Sequence, residues 1–144
     1  MIEPLHTYSI EHNVEDKLRK TIKNLNGYVI KNQASSTTGK GKPDLSACIN
    51  GHYYGIEVKR DSSQIETTLS QFKNLVAIAN AGGYAFYTKT EYMFDAKVIN
   101  TYKKTIYNLP TSNELKTILH FLRKKTVKLI EILPTQMIIY ESMI

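Results

Sequence analysis

The dipeptide Asn50-Gly51 constrains this chain more than any other feature, because it separates two strand-like runs, "DLSACI" and "HYYGIEVK". Both positions of a tight hairpin turn favour positive φ, which asparagine and glycine tolerate, so the pair predicts a two-residue turn. Such a turn sets the register: Ile49 faces His52, Cys48 faces Tyr53 and, by continuation, Asp44 faces Glu57. Two carboxylates then sit opposite each other with Cβ atoms about 4.5–5.5 Å apart, an arrangement that destabilises a sheet when both are ionised. Alternation places Glu57 and Lys59 on one face, and Leu45, Ala47, Ile49, Ile56 and Val58 on the other. A raised carboxyl pKa or a divalent cation between the two acids would relieve the repulsion. The cation is the favoured reading: hard oxygen ligands select Mg²⁺ or Mn²⁺ over zinc, and Lys59 stands one pleat along to orient a water. The plainer alternative is a surface hairpin in which Lys59 pairs with the acids and a bulge at the turn slides them apart.

Around this hairpin the periodicities predict a compact set of elements. Ile10, Val14, Leu18, Ile22 and Leu25 recur at helical spacing, so residues 10–26 read as an amphipathic helix, capped by Ser9 or Asn13 and stopped by Gly27. "YVIKNQ" follows as a short strand, and "ASSTTGKGK" as a small-residue loop expected to be mobile. A second helix over 66–81 carries Leu69, Phe72, Leu75, Val76 and Ile78, ends at Gly82-Gly83 and leads into the strand "YAFYTK". Further on, "SNELKTILHFLRKK" reads as a helix capped by Ser112, and "TVKLIEIL" and "QMIIYESM" as strands. With no repeat or low-complexity linker, the expectation is one α/β (α+β) domain over 1–144. A mixed sheet flanked by helices would have the order α-β-β-β-α-β, with a core over about 9–98 and a basic C-terminal extension over about 99–144.

The chain has 144 residues and a formal charge of +6, which favours a polyanionic partner. The excess gathers late: Lys97, Lys103, Lys104, Lys116, Arg123, Lys124, Lys125 and Lys128 face only Glu114 between Ala96 and Ile130. This region suits a phosphate backbone, or equally a solvated basic face. No stretch approaches the roughly 20 apolar residues of a membrane helix, and no secretory leader is expected. The lone Cys48 excludes an internal disulfide and suits a reducing compartment, so a cytoplasmic location is expected, including that of a phage protein in its host. The four histidines show no ligand spacing. Tyr53 shares the acidic face, where packing is the commoner role of a strand tyrosine.

Pro43-Asp44 followed by Glu57-Val58-Lys59 resembles the motif of the PD-(D/E)xK nuclease superfamily. The resemblance is closer to its virus-type replication-repair nuclease (VRR-NUC) branch, through Gly41-Lys42-Pro43-Asp44-Leu45, Gly55-Ile56-Glu57-Val58-Lys59, Gln71 and Gly82-Gly83, over roughly Glu11 to Lys89. "STTGKGKPDLSACINGHYYGIEVK" and "YAFYTKTEYMFDAKVI" are also similar to RecU-type Holliday-junction resolvases, without the rest of that family's pattern, and the residues after about Val98 carry no resemblance. The resemblance implies a restriction-endonuclease-like core and metal-dependent hydrolysis of nucleic-acid phosphodiesters. It assigns Asp44, Glu57 and the Val58 carbonyl to Mg²⁺ or Mn²⁺, and gives Lys59 the attacking water. It adds an acid from the first helix, Glu15 in preference to Glu11, and a helix glutamine, Gln71. Stand-alone proteins of this kind are often homodimeric junction resolvases, so a homodimer acting on branched or four-way DNA is expected. A restriction-type or flap endonuclease and a non-catalytic nucleic-acid-binding module are the alternatives. Lys40, Lys42, Arg60, Lys124 and Lys125 are the expected DNA contacts.

Overall fold

The computed structural model describes residues 7–33, 41–59, 65 and 67–143, with side chains in the first helix described from residue 13. Residues 34–40 of the expected loop 34–42 lie outside the described residues, Lys40 among them, as do Arg60 and the Glu11 side chain. Among the described residues one mixed sheet of seven strands organises the fold, in the order β1-β2-β3-β4-β6-β7-β5. Its strands are β1 (Tyr28–Lys31), β2 (Leu45–Ile49), β3 (His52–Val58), β4 (Tyr84–Thr88), β5 (Lys103–Asn108), β6 (Val127–Ile132) and β7 (Gln136–Glu141). Among the described residues four helices accompany it: α1 (Thr7–Asn24), α2 (Leu69–Asn80), α3 (Ala96–Ile99) and α4 (Leu115–Leu122). The α-β-β-β-α-β order stands as expected, and every strand pair is antiparallel except β3 with β4.

The hairpin has the register its turn predicts. Asn50 and Gly51 take φ of 52° and 82°, Ile49 pairs with His52, and the ladder runs to Leu45 opposite Ile56. No bulge intervenes, so Asp44 lies next in line, opposite Glu57. Parallel strands β3 and β4 need a crossover, and α2 supplies it.

Both faces of the sheet are covered. Leu18 and Ile22 of α1 pack on Leu45, Ala47, Ile49, Ile56, Val58 and Phe86, whereas Phe72, Leu75 and Val76 of α2, with Leu115, Leu119 and Leu122 of α4, pack on Ala85, Tyr87, Ile130, Ile132, Met137 and Ile139. The face carrying Glu57 is therefore not a free surface: Glu57 aligns with Tyr87 beneath α2. In β6 a register shift between Val127 and Leu129 breaks the alternation, which lets Val127 face the α2 side and Leu129 the α1 side.

Several boundaries differ from expectation for identifiable reasons. Ser9 and Asn13 lie inside α1, which begins at Thr7. Its left-handed terminal residue is Asn26 (φ 61°), and Gly27 N–H returns to the Ile22 carbonyl at 2.9 Å. Thr68 caps α2. Ser112 does not cap α4; instead Glu114 reaches back to accept from Thr111 N at 3.0 Å. The sequence pattern passes over α3 and β5. β5 is an exposed edge strand that opens with Lys103-Lys104, so burial imprints no apolar alternation on it. Its neighbour β7 and the central β6 carry the strands expected in the C-terminal extension into the same sheet. Among the described residues, no helix is long and apolar enough to cross a membrane.

Candidate functional site

Because β3 and β4 are parallel, Glu57, Val58, Thr88 and the first turn of α2 all lie at one end of the sheet, the carboxyl end of that pair. Asp44 enters the same place from β2. Its Oδ2 accepts the Val58 N–H at 2.8 Å, which ties the carboxylate to the main chain between Glu57 and Lys59. Asn32 holds the preceding turn: its N–H donates to the Asp44 carbonyl at 2.8 Å, and its Nδ2 donates to the Pro43 carbonyl at 2.9 Å and to Ser46 Oγ at 2.8 Å. The row Asn32, Asp44, Glu57 thus crosses three strands.

Glu57 is 1 % exposed, and Val58 is fully buried. A carboxylate so far from water retains its charge only beside compensating positive charge or donors. Lys59 follows at the strand end, half-buried, with its N–H bonded to the Thr88 carbonyl at 2.9 Å. Lys89 directly follows the adjacent strand β4 and is 4 % exposed.

Glu15 projects from α1 and is 5 % exposed. It forms an ion pair with Lys31 Nζ at 2.6 Å. Lys31 ends β1, and its pKa is held above the usual 10.5, first by the bond to Glu15, with the charges of Glu15 and then Asp44 adding against partial desolvation and Arg19. Lys31 therefore feels both carboxylates. Sequence reading assigned it only to a strand; its pairing with Leu45 across β1 and β2 places it on the α1 face, a fact available only once that register is known.

Gln71 occupies the third position of α2 and completes a capping box. Its Oε1 accepts from Thr68 N at 3.0 Å and Thr67 Oγ1 at 3.1 Å, and its N–H donates to Thr68 Oγ1 at 3.1 Å. The amide oxygen is thus engaged in holding the helix start, beside the Glu57 strand end. Among the expected DNA contacts, Lys42 and Lys124 are exposed, and Lys125 lies with its ammonium 4.8 Å from the centre of the Phe121 ring.

The glycines of the motif have a shared structural reason. A Cβ at Gly41 would fall 2.5 Å from Ser70 Oγ, one at Gly55 would fall 2.6 Å from Ile78 Cδ1, and one at Gly83 would fall 2.9 Å from Ile78 Cγ2. Ser70, Asn74 and Ile78 recur every four residues on one stripe of α2, so the three glycines let that helix lie close on the hairpin and on β4. Gly41 also has φ of 81°, a left-handed value.

A divalent cation fits this donor set in kind. Asp44 retains Oδ1 beyond its bond to Val58, Glu57 adds a second carboxylate, and both are hard oxygen donors. Among the described residues no cluster of three or more His, Cys, Asp and Glu side chains is assembled for a metal, so main-chain oxygen and water would complete the coordination.

No family model matches the sequence, and no curated protein matches it. A solved structure described as "VRR_NUC domain" superposes with a TM-score of 0.51 at 21% sequence identity, covering 65% of this chain and 98% of that one. About a third of the present chain lies outside the match. The mixed α/β fold of this chain is therefore that of the VRR_NUC domain structure.

Proposed function

We propose that this protein is a divalent-metal-dependent endodeoxyribonuclease that cuts branched DNA, with the four-way junction as its substrate and a homodimer as its working form. The observation that carries the reading is the seating of Asp44 on the Val58 N–H, in the register that opposes it to Glu57. A Mg²⁺ or Mn²⁺ ion held by Asp44, Glu57 and the Val58 carbonyl would supply Lewis-acid activation of a water and of the scissile phosphate. Lys59 is the group to orient the nucleophile and to offset the charge that builds on the phosphoryl oxygens. Glu15 and Lys31 form the α1 side of the site, where Lys31 balances the nearby acids. Gln71, bound into the α2 cap, keeps the helix start against the strand end. The charge of +6, with Lys42, Lys124 and Lys125 beside Lys40 and Arg60 in the chain, supports a polyanionic substrate. Symmetric cutting of a four-way junction calls for paired sites, which a twofold dimer provides.

The test is cleavage of a labelled immobile four-way junction, beside linear duplex and single strand, by wild type and Lys59→Ala with Mg²⁺ or EDTA. Paired symmetric nicks confined to the junction, abolished by EDTA and by Lys59→Ala, are expected. Metal-independent cutting, or no cutting of any substrate, would refute the reading.

A further inference from the structure

Beyond the pairing of β6 with β4, a side chain of the C-terminal extension reaches the candidate site: Arg123 Nη2 donates to the Thr67 carbonyl at 3.1 Å. Thr67 is itself buried and directly precedes the capped start of α2. Where α4 meets that start, the surface sinks into a cavity of about 400 Å³ lined by Leu69, Lys116, Thr117, Leu119, His120 and Arg123. Positions 116, 119, 120 and 123 follow helical spacing, so a single stripe of α4 builds one wall. Leu69 and Leu119 contribute an apolar floor; Lys116, His120 and Arg123 contribute a rim of nitrogen donors, and none of these lining residues is acidic.

A simple anion would match the rim and leave the floor unused, and a purely apolar ligand would do the reverse. A nucleotide unit within a strand meets both, since its sugar and base are largely apolar and its phosphodiester is an anion. The cavity also lies at the same end of the sheet as Asp44 and Glu57. β6 begins at that end, where Leu129 pairs with Thr88, and Arg123 is bonded to the segment that follows Lys59. We propose that this cavity is a nucleotide-binding subsite that holds the DNA strand to one side of the scissile phosphate. The inference rests on the nuclease reading for its substrate, and on the cavity for its place.

Binding in EDTA, read by fluorescence anisotropy of a labelled oligothymidylate, tests the subsite without any cleavage. Lys116→Ala/His120→Ala alters two exposed positions, so the fold is expected to survive, and an unchanged thermal melt confirms it. A matched control, Lys20→Ala/Lys23→Ala, removes exposed charge from α1 on the other face. The subsite variant is expected to lose about tenfold in affinity at 0.1 M salt and the control much less. Wild type is also expected to prefer oligothymidylate to an abasic strand with the same phosphodiester backbone, and the subsite variant to lose that preference. Equal losses in the two variants, or equal binding of the two strands by wild type, would overturn the proposal. Failure of the nuclease reading shows separately, as intact DNA after incubation of wild type with Mg²⁺.

Discussion

Replacing Asp44 by alanine and by asparagine separates the two jobs of one carboxylate. Its Oδ2 accepts a 2.8 Å bond from the N–H of Val58, a residue with no exposure to water. Alanine removes the acceptor and leaves that N–H orphaned, a cost of about 1–3 kcal/mol. Relief of the repulsion from Glu57 returns about 0.2–1 kcal/mol if it matches in size the gain of an opposite-charge cross-strand pair. The net expectation for Asp44→Ala is a loss centred on about 1.5 kcal/mol, within about 0–3 kcal/mol. Asparagine retains an oxygen acceptor and forfeits only the charge assistance, roughly 1 kcal/mol, which the relieved repulsion largely offsets. Urea denaturation in EDTA should therefore place Asp44→Asn within about 1 kcal/mol of wild type and clearly above Asp44→Ala. Adding Mn²⁺ should stabilise wild type by about 2.7 kcal/mol at a hundredfold excess over its dissociation constant. Neither variant should respond, because each has lost one of the two carboxylates. Equal destabilisation by alanine and asparagine would refute the acceptor argument, and full stabilisation of Asp44→Asn by Mn²⁺ would refute the metal argument.

Other perturbations probe the supports around the site. Gly41→Ala meets both a left-handed φ and the Ser70 main chain 2.8 Å away, and should cost about 2–4 kcal/mol. Gly55→Ala presses mainly on the tip of Ile78 and should cost less; the reverse order in urea midpoints would contradict the packing account. In Glu15→Gln the Lys31 pKa should fall toward 10.5, and in Asp44→Asn it should fall by a smaller amount, both read by side-chain NMR titration. Tyr140 donates to Glu131, and burial first, then that bond and the Glu131 charge, raise its pKa above 10. The folded protein then keeps a proton that the unfolded chain gives up, so stability falls as pH rises beyond about 10. Tyr140→Phe should flatten this alkaline slope in urea midpoints between pH 9 and 11; an unchanged slope would remove Tyr140 as its source.

By itself the sequence determined the hairpin and most of the elements around it. Asn50-Gly51 dictates a turn of known register, and that register opposes Asp44 to Glu57 before any long-range contact is considered. The apolar periodicities of α1, α2 and α4 and the strands β6 and β7 were legible for the same reason: burial on one side imprints a period on a local segment. Edge strand β5 escaped because exposure imprints none. The tertiary structure alone decided which faces were covered. The acidic face of β3 lies under α2 because a parallel β3 and β4 require a crossover, and Gly41, Gly55 and Gly83 admit that helix at close range. It also decided the pairing of Glu15 with Lys31 and the bond from Arg123 to Thr67, whereas the cap at Gln71 is local, set by Thr68 three residues before it. The first two join distant segments through the arrangement of the sheet, and periodicity within one segment carries no record of which distant segment it will meet.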